Sequence, residues 1–66
     1  MNSQAEKSFK EYRLNLSRVK DSIAEARVER INGRINKAAY HLNMSAFWRE
    51  QVVYWKKQLN WYLARA

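Results

Sequence analysis

A chain of 66 residues with no cysteine, no proline and one glycine has room for one small domain and excludes a disulfide framework or a thiolate metal site. At 47% hydrophobic and 29% charged, with a formal net charge of +7, it is too apolar for a disordered tail and basic enough to favour acidic partners. No apolar run approaches the roughly 20 residues that span a bilayer, and the first ten residues lack the apolar centre of a secretory signal, so the expected location is the cytoplasm.

Packing has to supply all the stability. A compact fold of this size gains about 100 kcal/mol from apolar burial and loses about the same in ordering its residues. A rod of long helices buries less than a compact fold, so self-association is the expected source of the missing stability.

Ser3 and Glu6 have the spacing of a capping box, which places a helix start there. From Phe9 onward, Phe9, Tyr12, Leu16, Val19, Ile23 and Ala26 alternate three and four residues apart and line one narrow stripe of a helix. Asn32 and Gly33 are the strongest punctuation in the chain, because glycine accepts the left-handed backbone that ends helices. The reversal is expected at about residues 32–34, between helices of about 3–31 and 35–64. Asn36 is the expected cap of the second helix. Asn43 and Ser45 mark a weaker break, and a three-helix bundle broken near residues 43–45 is the alternative.

The second half carries the most informative pattern. Tyr40, Phe47, Tyr54 and Trp61 recur every seven residues, and His41, Trp48, Trp55 and Tyr62 follow the same clock one residue later. With Met44, Val52, Leu59 and Leu63, the apolar surface of this helix spreads over roughly 200° at 100° per residue. One neighbouring helix covers about half of that arc. The expected architecture is therefore an all-α antiparallel two-helix hairpin that dimerises into a four-helix bundle, with Tyr40, Phe47, Trp48, Tyr54, Trp55, Leu59 and Tyr62 in the oligomer core.

Positive charge is concentrated in the same half. Residues 34–66 hold six Lys/Arg against Glu50 alone, while residues 1–33 hold seven against five carboxylates. Arg49, Lys56, Lys57 and Trp61 combine charge with a hot-spot aromatic and are the expected partner-binding residues. The partner they imply is a larger protein or nucleoprotein assembly. Direct RNA or DNA binding through the phosphate backbone is the alternative, and contact with an anionic membrane is the least favoured.

Catalytic chemistry has little to work with. His41 is the only histidine and shares its heptad position with Trp48 and Trp55, which reads as a packed edge histidine rather than a metal ligand. Asp21, Glu25 and Glu29 are interleaved with Lys20, Arg27 and Arg30, which reads as a solvated face. That acidic row also has the spacing to pair with the basic second helix. Gly33 stands alone, so there is no glycine-rich phosphate loop. The expectation is a non-catalytic helical interaction protein, an adaptor, inhibitor or regulator, with no metal and no cofactor.

Overall fold

A computed structural model describes residues 3–65. The chain forms α1, Ser3–Ile31, and α2, Ile35–Ala64, packed against each other as an antiparallel hairpin. Its Cα atoms extend over 50 × 14 × 11 Å with a radius of gyration of 15.0 Å, against about 11 Å for a compact fold of this length. No helix among the described residues is long and apolar enough to cross a membrane.

The reversal is built on Gly33, whose φ of 76° is the left-handed conformation that costs glycine least. The Gly33 amide donates to the Arg30 carbonyl at 3.1 Å, and the Arg34 amide reaches back to the Glu29 carbonyl at 2.8 Å. These two bonds satisfy two of the orphan carbonyls of the last turn of α1. Arg34, not Asn36, stands at the cap of α2, and its side chain makes no capping bond. The expectation for Asn36 fails because the glycine cap delivers the chain directly into α2, leaving Asn36 one residue inside the helix. Ser3 is likewise the first residue of α1 rather than the cap before it, and the residue preceding it lies outside the described range.

There is no break near residues 43–45. Ser45 is buried within a continuous α2, and its hydroxyl donates to the Leu42 carbonyl at 2.7 Å. This bond back to its own helix absorbs the hydroxyl that would otherwise favour a cap.

The seam between the helices keeps Tyr12, Val19 and Ala26 of the expected apolar stripe of α1 and departs from the rest of it. Its fully buried residues are Ala5, Ser8, Asn15 and Ala26 on α1, and Ala38 and Ser45 on α2. Half-buried Tyr12, Val19, Ser22 and Glu29 continue the α1 line, while His41, Trp48, Val52, Trp55, Leu59 and Tyr62 continue that of α2. Both lines alternate three and four residues apart, the spacing of a coiled-coil seam. Phe9 lies off this line and is 41% exposed, and Leu16 and Ile23 are only half-buried at its edge.

Small residues face larger ones over much of the rod, with Tyr12 level with Trp55 and Ser22 with Ser45 as the exceptions. Counting outward from the turn at equal rise sets Ala26 level with His41, Val19 with Trp48, Asn15 with Val52, Ser8 with Leu59 and Ala5 with Tyr62. The buried polar groups are satisfied locally: the Ser8 hydroxyl donates to the Gln4 carbonyl at 2.9 Å, and Asn15 Nδ2 donates to the Glu11 carbonyl at 2.8 Å. Among the described residues, no buried side-chain nitrogen or oxygen lacks a partner.

Candidate interaction surfaces

Two columns of rings stand side by side on α2 and meet different environments. His41, Trp48, Trp55 and Tyr62 lie along the seam and are half-buried. Tyr40, Phe47, Tyr54 and Trp61, one residue earlier in each heptad, are 60%, 46%, 50% and 48% exposed. Each outer ring nevertheless touches its seam neighbour edge to face. Centroid separations are 5.3 Å for Tyr40–His41, 4.8 Å for Phe47–Trp48, 5.0 Å for Tyr54–Trp55 and 4.9 Å for Trp61–Tyr62. The quadrupoles of aromatic rings favour this arrangement. The result is a ladder of four ring pairs along α2, half seated in the hairpin and half facing outward.

Arginine extends the ladder at two points. The Arg18 guanidinium lies 4.5 Å from the Trp48 ring and that of Arg65 lies 3.8 Å from the Trp61 ring, both within cation–π range. Arg18 Nη1 also donates to Asn15 Oδ1 at 3.3 Å, which ties the buried amide to the indole across the seam.

The Arg18–Trp48 contact fixes which flanks of the two helices adjoin. An antiparallel pair is related by a two-fold axis across its seam, so like flanks of the heptad meet. On one side, the α1 flank of Glu11, Arg18 and Glu25 borders the α2 flank of Met44, Gln51 and Gln58, with the outer ring column just beyond it. On the other, Phe9, Leu16, Ile23 and Arg30 border Leu42, Arg49, Lys56 and Leu63. The first is the ring side and the second the basic side.

The residues expected to bind a partner do not form one patch. Arg49 and Lys56 share the basic side. Lys57 points away from the seam, and Trp61 lies roughly 150° round α2 from Arg49 and Lys56 in the seven-residue repeat. Of the expected oligomer core, Tyr40, Phe47 and Tyr54 are exposed on the ring side, while Trp48, Trp55, Leu59 and Tyr62 are half-buried against α1. Glu29 departs from the solvated acidic row: its side chain is 13% exposed and pairs with Arg34 Nη1 at 3.4 Å.

The column of Ser8, Asn15 and Ser22 was the hidden signal. It repeats every seven residues beside the column of Ala5, Tyr12, Val19 and Ala26, but its polar side chains conceal it from a search for apolar spacing.

A shallow depression lined by Arg13, Leu16, Ser17 and Lys20 lies along the outer flank of α1. Among the described residues, no group of three or more His, Cys, Asp or Glu side chains is placed to hold a metal ion. No family model matches the chain, and neither the curated proteins nor the solved structures include a match to it.

Proposed function

We propose that this chain is a non-catalytic helical interaction protein, an adaptor, inhibitor or regulator, that works as a pair of hairpins. The ring sides of two copies join into a four-helix bundle, and the basic sides turn outward to dock on a larger assembly such as nucleic-acid machinery. The observation that carries this reading is the burial pattern. Among the described residues, the only fully buried apolar side chains are Ala5, Ala26 and Ala38, while four aromatic rings stand exposed in a row.

Area supports a second copy as the occupant. The hairpin exposes 5135 Å², about 700 Å² more than the roughly 4,450 Å² that scaling gives a compact protein of 8.0 kDa. One partner's share of a standard interface is about 800 Å². Charge selects the side. A two-fold contact through the basic side would press Arg30, Arg49 and Lys56 of one copy toward their own like in the other. The ring side carries Glu11, Asp21 and Glu25 together with Lys7, Arg18 and Lys37, a mixture that permits pairing across the two-fold.

The test is a double substitution, Phe47→Ser with Tyr54→Ser, followed by light scattering and circular dichroism. Loss of the pair, with helix content falling on dilution, supports the proposal. An unchanged pair would place the contact elsewhere and sink it.

A further inference from the structure

The basic side carries more than an excess of charge. Antiparallel packing interleaves cations from the two helices, so that Lys56, Arg13, Arg49, Lys20, Arg27 and Arg30 follow one another along the rod. At 1.5 Å per residue they span about 30 Å, or one cation every 6 Å or so. All six are exposed, and Glu6, near the open end of the hairpin, is the only carboxylate on the columns that carry them. Among the described residues the only ion pair is that of Arg34 with Glu29, so none of the six is neutralised by a carboxylate of this chain.

We infer that this six-cation strip is a docking line for the phosphate backbone of duplex nucleic acid. The inference deepens the proposed function and rests on it in one respect: joining two copies through the ring side leaves both strips outward. Three features favour a duplex over an acidic protein surface. The strip is straight and about as long as one turn of duplex, which presents a charge every 1.7 Å or so of its axis. Four of its six members are arginine, whose planar fork matches phosphate oxygens. Among its apolar neighbours Leu16 and Ile23 are half-buried while Phe9, Leu42 and Leu63 are exposed, and the longer cationic side chains reach beyond all of them.

The experiment titrates the full chain with a random-sequence DNA duplex at several salt concentrations. Six displaced counterions give a slope of log affinity on log salt near −5. Arg49→Ala with Lys56→Ala should make that slope shallower by about 2. Lys10→Ala with Lys57→Ala removes the same charge from the outward faces of the two helices, off both the strip and the ring side, and should leave the slope unchanged. Circular dichroism on each variant confirms that the hairpin persists.

Equal losses from the two double variants would overturn the strip, since net charge alone would then explain binding. Failure to bind duplex, with or without capture by an acidic protein or anionic vesicles, would overturn it as well. Sedimentation of the same samples separates the two ideas. A monomer that binds duplex with the expected slope keeps the strip and discards the pair, whereas a dimer blind to duplex does the reverse.

Discussion

Arg34 closes on Glu29 twice. Its amide donates to the Glu29 carbonyl at 2.8 Å, and its guanidinium meets the Glu29 carboxylate at 3.4 Å. In a left-handed helix cap these two positions commonly hold an apolar contact, and here an ion pair takes its place. Arg34 is 56% exposed, so solvent screens the pair and its contribution is small. Glu29→Gln should cost no more than about 0.5 kcal/mol in a urea titration, and the cost should shrink with added salt.

Gly33→Ala tests the backbone of the same turn. A methyl group meets no atom within 4 Å there, so the penalty comes from the left-handed φ alone. The expected destabilisation is about 1–2 kcal/mol, read from the midpoint of chemical unfolding. A cost near zero would mean that the reversal can relax into another turn.

Reversing the size pattern along the seam should be costly where polarity is not. Ala26→Leu pushes a larger side chain toward His41 across a close helix approach, with an expected loss of about 1–3 kcal/mol. Ser8→Ala removes a hydroxyl that bonds only within α1 and favours the helix slightly, so stability should change by a few tenths of a kcal/mol at most. Thermal unfolding of the two variants side by side checks the contrast.

The hairpin and its reversal were legible in the sequence because three unambiguous signals coincide: glycine after asparagine, apolar spacing on each side, and no proline. The seam of α1 was legible only in its Tyr12, Val19 and Ala26 column. Hydrophobicity points to the line through Phe9, Leu16 and Ile23, whereas Ser8 and Asn15 take the seam with their polar groups bonded to their own helix. The two ring columns were legible as a heptad pattern, yet only their exposures distinguish the outer one from the seam. Chemistry groups Trp61 with Arg49 and Lys56, whereas the helical repeat places it on the other side.

Arg18 links a buried amide to an indole, which makes it the most informative single cation. Arg18→Ala leaves Asn15 Oδ1 without its guanidinium donor and the Trp48 face uncovered. The expected cost is about 1–3 kcal/mol. A double-mutant cycle with Trp48→Leu should recover a coupling of about 0.5–1 kcal/mol, and strict additivity would show that the ring contact contributes nothing.

The outer rings should also stabilise the seam rings that they touch. Phe47→Ala removes the edge-to-face neighbour of Trp48, at a cost of about 0.5–1.5 kcal/mol beyond lost burial. Tryptophan quenching by acrylamide should rise in this variant.

Sedimentation equilibrium of the unaltered chain, across a dilution series in buffer free of nucleic acid, addresses most directly whether the exposed rings are covered by a second copy. The expected result is a particle of twice 8.0 kDa that dissociates on dilution with parallel loss of helix. A particle of 8.0 kDa at every concentration, with full helix content and cooperative unfolding, would contradict the account.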